Sequence, residues 1–222
     1  MAIDRLYVTD DGSHTLFSSK ANENYHSTFG AIQESKHIFI EAGLNSVIRK
    51  DNDKVRILEV GTGTGLNILL AYLWSLKNNI SISYQGYEPF PISKDEVRQL
   101  NYPHQLLVDE HVFSLIHDNN NEVINLSDSF LIQVNNCKIE KANLEDKFFD
   151  VVFFDAFSPS AQPELWTTHI FIQIYNSLKE GGVLTTYSCK GIVKRALKQA
   201  GFRIEKLPGP PGKREFLRAW KD

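Results

Sequence analysis

At 222 residues and 42% hydrophobic content, the chain fits one domain able to bury a core without covalent staples. Its two cysteines, Cys137 and Cys189, have neither a CxxC pattern nor a histidine cluster beside them, which disfavours a metal site or disulfide framework and suits a reducing cytoplasm. The net charge of −3 hides an asymmetry: ten basic and two acidic residues lie between Lys190 and Lys221, so that segment is +8 and the remainder −11. Residues 1–5 lack the basic region and apolar core of a leader, and nowhere do ~18 apolar residues run together, so a soluble, unexported protein without a membrane partner is expected.

Leu6-Tyr7-Val8 and Thr15-Leu16-Phe17 flank Asp10-Asp11-Gly12-Ser13, the pattern of a small hairpin, because Asp-Gly supplies the positive φ of a tight turn. Phe29, Ile32, Ile38, Phe39, Ala42 and Val47 recur mostly at helical spacing and predict a helix within 27–47. An apolar run at 55–58, a glycine-rich turn and a helix at 66–76 follow. Residues 80–87 alternate as a second strand that ends at Glu88, before Pro89 and Pro91. Helices are expected at 93–100 and 103–116, a loop tip at Asn119-Asn120-Asn121, and a third strand at 130–134. The nearly continuous apolar run 148–154, ending at Asp155, reads as a strand buried on both faces. Residues 164–178 predict a helix stopped by Gly181-Gly182, then come a fifth strand at 183–187 and a last helix at 191–199, closed by Gly201. Strands at 202–207 and 215–220 enclose the loop Pro208-Gly209-Pro210-Pro211-Gly212. Strands alternating with helices indicate an α/β, doubly wound, mostly parallel sheet of seven strands with an antiparallel last strand. The expected organisation is a single domain over 1–222, its first 50 residues forming an N-terminal embellishment.

The turn Glu59-Val60-Gly61-Thr62-Gly63-Thr64-Gly65 brings bare backbone near a ligand, since glycine has no Cβ, and the next helix offers unpaired N–H groups. A dinucleotide fingerprint needs glycines at relative positions one, three and six, and the sixth here is Leu66. The pattern Glu-x-Gly-x-Gly-x-Gly instead resembles motif I of the Rossmann-like class I S-adenosylmethionine-dependent methyltransferases. In open α/β sheets ligands gather at the carboxyl ends of strands, where Glu59, Glu88 and Asp155 fall. Glu88 suits a ribose, whose two hydroxyls an acid can accept from. Glu59 either accepts from the methionine ammonium or holds the turn, and Asn67 is either a cap partner or a cofactor contact.

A second resemblance is more specific. Tyr25-His26-Ser27, Gly30-Ala31-Ile32-Gln33-Glu34-Ser35, Gly63-Thr64-Gly65-Leu66-Asn67, Asp155-Ala156-Phe157-Ser158-Pro159 with Gln162-Pro163-Glu164-Leu165-Trp166, Thr186-Tyr187-Ser188-Cys189-Lys190-Gly191 and Leu207-Pro208-Gly209-Pro210-Pro211-Gly212-Lys213-Arg214-Glu215 stand in one family's order. The chain resembles the stand-alone methyltransferases of the tRNA 5-aminomethyl-2-thiouridine wobble pathway, and is similar to the methyltransferase half of the bifunctional enzyme. That resemblance implies S-adenosyl-L-methionine as cofactor, no metal, tRNA as partner, and methyl transfer to the amine of 5-aminomethyl-2-thiouridine. Any oxidase would be a separate protein. Two other readings stay open, an N-methyltransferase of a small amine or protein and a non-catalytic nucleic-acid-binding module on the same fold.

On this reading the cofactor contacts are Glu59, Gly61, Gly63, Gly65, Asn67 and Glu88, while Asp155 orients the acceptor amine and is the catalytic residue. Lys213 and Arg214 would hold tRNA phosphate, Arg through its bidentate fork. Tyr25 and Phe157 would stack on the unpaired base. No carboxylate stands at Asn135-Asn136 after the third strand to meet an adenine amine, which leaves that contact unassigned.

Overall fold

The computed structural model describes residues 5–48, 54–118 and 121–222. Three short strands, β1 (Leu6–Val8), β2 (His14–Ser18) and β3 (Glu23–Asn24), form a separate antiparallel sheet. The β1–β2 turn is the expected hairpin: Gly12 has φ 80°, and the Asp11 carboxylate accepts from Thr9 Oγ1 and from the Ser13 N–H. Helix α1 (Ala31–Ser35) continues as a π-helix over Lys36–Glu41 and, after Gly43, a 3₁₀ turn over Leu44–Val47. The helix foreseen for 27–47 is therefore shorter and broken, beginning only after Gly30 with φ 136°.

β4 (Lys54–Val60), α2 (Leu66–Asn78) and β5 (Ser81–Tyr87) form the first strand-helix-strand unit. The expected helices at 93–100 and 103–116 are three, α3 (Lys94–Val97), α4 (Tyr102–Leu106) and α5 (Glu110–His117). The second splits because Leu107 is left-handed, with φ 55°, and Asp109 starts a new helix by accepting from the His111 N–H. β6 (Ile124–Ser127) and β7 (Phe130–Asn135) pair antiparallel, then β8 (Phe149–Phe154) enters the sheet. Of the expected Asn119–Asn121 loop tip, residues 119 and 120 lie outside the described residues.

Helix α6 (Thr168–Ser177) ends before the glycine pair, because β9 begins at Leu178 and runs to Thr186. Gly181-Gly182 is thus a strand irregularity, not a helix stop: the β8–β9 register shifts between Phe149 and Val151, and Gly181 has φ 72°. α7 (Gly191–Gln199), β10 (Arg203–Pro208) and β11 (Glu215–Trp220) complete the chain.

The main sheet has eight strands, not seven, in the order β10-β11-β9-β8-β4-β5-β7-β6. The extra strand is β6, an edge strand too short to show in periodicity. β9, β8, β4, β5 and β7 are parallel, while β11 lies antiparallel to β9 and to β10. From β4 the chain first builds outward through β5 and β7 and then returns to place β8 on the other side. The reversal of strand order therefore falls between β4 and β8.

Strand alternation divides the interior into two cores. Val55 and Ile57 of β4 and Val151 and Phe153 of β8 face the side of α2, whereas Leu58, Val60, Val152 and Phe154 face α6 and α7. Glu59 shares the phase of Ile57, so its carboxylate enters the α2 side of the core.

At the reversal, the Gly61 N–H donates to the Tyr87 carbonyl and the Asp155 N–H to the Val60 carbonyl, both at 2.9 Å. Gly61 has φ 86°, and a Cβ there would lie 2.8 Å from the Asp155 carbonyl oxygen. Gly61→Ala should consequently lose about 2 kcal/mol or more of stability, from left-handed strain plus the backbone clash. Urea unfolding measures this, and an unchanged midpoint would show slack between the β4 and β8 ends.

Candidate active site

A cavity of about 550 Å³ opens over the carboxyl ends of β4, β5 and β8. Gly61, Thr62, Gly63 and Thr64 form one wall, Glu88 and Phe90 another, Asp155 to Ser158 a third, and residues of the N-terminal segment 20–27, packed against the turn, complete the lining. The expected embellishment is thus part of the site. Tyr25 packs edge-on against Phe157 with ring centroids 5.0 Å apart, and a Cβ on Gly63 would come 2.8 Å from the Tyr25 ring. Glu23 reaches across from β3 to accept from the Ser158 N–H at 3.0 Å and from the Ser158 hydroxyl. His26 is hydrogen-bonded through Nε2 to Thr64 Oγ1 at 2.7 Å, which fastens the N-terminal segment to the glycine turn.

Asp155, half-buried, lines the cavity. One of its oxygens accepts from Asn67 Nδ2 at 2.9 Å, and the same amide nitrogen donates to Glu59 Oε1 at 2.8 Å. Tyr84 donates its hydroxyl to the other Glu59 oxygen at 2.8 Å. Glu59 is fully buried, Asn67 is 2% exposed, and neither lines the cavity. Both Glu59 oxygens are already engaged, so of its two candidate roles the structure favours holding the turn and Asn67. Gly65 also stands behind the wall, against His117 and Ile116. Of the six expected cofactor residues, Gly61, Gly63 and Glu88 line the cavity, and Glu59, Gly65 and Asn67 stand behind its wall.

Glu88 accepts from the Gly63 N–H and the Phe90 N–H, both at 3.0 Å, so it fixes the turn while its remaining lone pairs stay available to hydroxyl donors. Burial raises it above the usual carboxylate range, against those two backbone donors. After β7 the cavity is lined by Lys138, Ile139 and Glu140, so a carboxylate does follow the third strand, a few residues beyond Asn135-Asn136. It was missed because a short 3₁₀ turn, Ile139–Lys141, carries it back over the sheet, and no periodicity announces that turn. Glu34 is a second omission. It is buried, accepts from the Ser27 N–H at 2.8 Å and lines the cavity. Its helical phase with Ala31 and Ile38, both fully buried, is the sequence signal for an inward carboxylate.

Lys213 is not on open surface. Its ammonium lies 2.6 Å from Glu34 Oε1 and 4.3 Å from the centroid of the Tyr187 ring, within the same cavity. Arg214 is exposed and, with Lys190 and Lys206, lines an adjoining concavity of about 540 Å³ that shares Tyr187 and Lys213 with the first.

Site and fold together define a class: a parallel sheet with a glycine turn after its central strand, an acid ending the next strand, and a carboxylate across the reversal point. Residues 105–222 match a family of S-adenosyl-L-methionine-dependent methyltransferases, and the chain belongs to that family. It is 29% identical over 96% of its length to the tRNA 5-methylaminomethyl-2-thiouridine biosynthesis bifunctional protein MnmC of Aromatoleum aromaticum, and 30% identical over 90% of its length to that of Idiomarina loihiensis. The chain spans about a third of the length of these relatives, 35% and 36%. The crystal structure of MNMC2 from Aquifex aeolicus superposes with a TM-score of 0.79 at 28% identity, covering 98% of this chain and 70% of that one. Spermidine synthase from Thermotoga maritima, at TM-score 0.53 and 14% identity over 99% of this chain and 73% of that one, shares the fold. S-adenosyl-L-methionine is accordingly the cofactor, and the site fits it: the cavity volume suits a ligand of nucleoside size, and its rim offers a carboxylate for hydroxyls beside bare glycine backbone. Among the described residues no group of acidic, histidine or cysteine side chains is arranged to hold a metal, and no helix is long and apolar enough to cross a membrane.

The buried titratable groups make stability pH-dependent. Burial, with repulsion from Asp155 and Glu88, pushes Glu59 up to about 8, and burial with repulsion from Glu34 pushes Asp155 up to about 7. Burial pushes His26 and His117 down to about 4. Between about pH 4.5 and 6.5 the folded state holds extra protons on the two carboxylates and lacks them on the two histidines, so the effects oppose. Above about pH 7.5 unfolded histidines and carboxylates are almost wholly deprotonated, while folded Glu59 and, in part, Asp155 retain protons. Stability of the ligand-free protein should then fall as pH rises to about 8. Thermal unfolding from pH 6 to 9 checks this, with Glu59→Gln flattening the decline. A decline equally steep in Glu59→Gln would locate its origin elsewhere.

Proposed function

We propose that the chain transfers a methyl group from S-adenosyl-L-methionine to the amine of 5-aminomethyl-2-thiouridine at the tRNA wobble position. One observation carries the reading: Asp155, anchored by Asn67, opens into a cavity lined by the glycine turn and by the Tyr25–Phe157 ring pair packed against that turn. The similarity to tRNA 5-methylaminomethyl-2-thiouridine biosynthesis proteins supports the substrate. A cytoplasmic site of action fits tRNA and two free thiols.

Bound S-adenosyl-L-methionine supplies an electrophilic methyl on a sulfonium. Gly61 and Gly63 admit it by leaving the turn wall without side chains, and Glu88 receives the ribose hydroxyls. Ile139 and Glu140, which also line the cavity, would take the adenine. Tyr25 and Phe157 hold the unpaired base, as aromatic rings do for single-stranded nucleotides. Asp155 accepts an N–H of the amine, aims the lone pair and stabilises the charge that nitrogen gains. Asn67 fixes the carboxylate, and Glu59 with Tyr84 fixes Asn67.

Asp155→Asn and Asp155→Ala should each lower single-turnover methylation of tRNA bearing 5-aminomethyl-2-thiouridine by at least about 100-fold at saturating cofactor. Affinity for tRNA and for S-adenosylhomocysteine should change little. A near-wild-type rate in Asp155→Ala would make Asp155 structural. For the basic concavity, Arg214→Ala should weaken tRNA binding and lower the salt slope by about one. An unaltered slope would leave Arg214 a solvated residue.

A further inference from the structure

An alkyl ammonium keeps its proton up to about pH 10, as lysine does, and while protonated has no lone pair with which to attack. Asp155 alone makes this worse, since a nearby anion favours the ammonium. Of the charged groups that line the cavity, two act directly on Asp155, a second anion of the same effect, Glu34, and a cation, Lys213. Lys213 is held there by its own surroundings. Its ammonium meets Glu34 at 2.6 Å and the Tyr187 face at 4.3 Å, and Tyr187 is pinned in turn by donating its hydroxyl to the Ala156 carbonyl at 2.9 Å. Ala156 is the residue after Asp155. Lys213 therefore sits beside the acceptor end of the cavity, at the base of the Pro-Gly loop, where Gly209 N–H donates to the Arg214 carbonyl and Lys213 N–H to the Pro210 carbonyl.

Resting on the function proposed above, we propose that Lys213, clamped by Glu34 and Tyr187, keeps the acceptor amine in its uncharged, nucleophilic form. The charge count carries the argument. Above about pH 7, where Asp155 is ionised, it and Glu34 contribute two negative charges and Lys213 one positive, while the bound cofactor brings a sulfonium. A neutral amine leaves these charges balanced more closely than an ammonium does, so the substrate proton is shed to water before attack. The amine lone pair then forms the new N–C bond, the S–C bond pair stays on sulfur, and the methylated nitrogen loses a second proton.

The other titratable groups near Lys213 do not substitute for it. His26, from the N-terminal segment, is half-buried and neutral at working pH, its ring pushed down to about 4. Cys189 and Glu215 lie on the outer side with Lys206 and Arg214, in the adjoining concavity. Glu23 is engaged with Ser158. Lys213 is a positioning residue by this account, acting on substrate charge and making no bond to the reacting atoms.

The test is the pH profile of single-turnover methylation. Lys213→Met, which keeps the stem, should move the acid limb to higher pH by roughly one unit or more, with about tenfold loss at pH 7 recovered toward pH 9. Lys213→Arg should keep the limb in place. Glu34→Gln should move it the opposite way, to lower pH, although it breaks the same ion pair. A second readout needs no turnover. With sinefungin present at pH 8.5, an analogue whose amine supplies the positive charge of the sulfonium without a transferable methyl, calorimetry in two buffers of different ionisation heat counts protons released on binding tRNA with and without the aminomethyl group. Wild type should release more than half a proton attributable to that group, and Lys213→Met markedly less. Equal losses at every pH in Lys213→Met and Glu34→Gln, or no aminomethyl-specific release in wild type, would overturn the proposal and make the ion pair a scaffold. Failure of the functional reading looks different, because wild type would then methylate this tRNA at no pH, and the inference would fall with it.

Discussion

The backbone contact between the ends of β4 and β8 fixes the position of everything the site contains. Gly61 lies against the Asp155 and Ala156 backbone because it has no Cβ, and the Asp155 N–H closes the gap by donating to Val60. A residue with a side chain at Gly61 would push apart the strand that starts the glycine turn and the strand that ends in the carboxylate. With the contact intact, Gly61 and Asp155, 94 positions apart in sequence, bring adjoining walls of one cavity together. On the proposed reading, methyl donor and acceptor are thereby held by neighbouring strands of a sheet whose core on both faces is buried Val, Leu, Ile and Phe.

Behind that wall runs a buried polar chain, Tyr84 to Glu59 to Asn67 to Asp155. Such groups are costly to bury and are retained only when partnered. Here each supports the next, so the orientation of Asp155 depends on residues that touch no ligand. The high proton affinity of Glu59 follows from the same burial, and it places a pH-sensitive group in the interior of the fold, next to the catalytic strand end.

The N-terminal segment completes the site from outside the sheet. Glu23 binds Ser158, His26 binds Thr64, Tyr25 covers Gly63, and Glu34 anchors Lys213 from the Pro-Gly loop. Phe29 packs under Gly212 of that loop, where any Cβ would strike its ring. First and last segments of the chain thus meet over the cavity. The charges they bring, one buried carboxylate and one clamped ammonium, decide which protonation state of an amine the cavity accepts.

Local order was legible in the sequence wherever one residue or one period dictates it. The glycine turn, the buried runs of β4 and β8, the Asp-Gly hairpin and the acids at strand ends Glu88 and Asp155 could all be read, because positive φ and side-chain alternation are local properties. The break at Leu107, the edge strand β6 and the bulge at Gly181-Gly182 could not, since each is set by what the segment packs or pairs against. The roles of Glu59, Gly65 and Asn67 divided along the same line. Their proximity to the turn is a matter of spacing, but whether they face the cavity or stand behind it depends on strand phase and on α2. Lys213 shows the difference most clearly: its charge and its place in a basic tail suggested a phosphate, and only the crossing of the Pro-Gly loop over α1 put it against Glu34. Sequence alone determined which chemical groups exist and which backbone conformations they permit. Tertiary structure decided which of those groups meet, because long-range pairing and burial, unlike φ or periodicity, are fixed by residues far away in the chain.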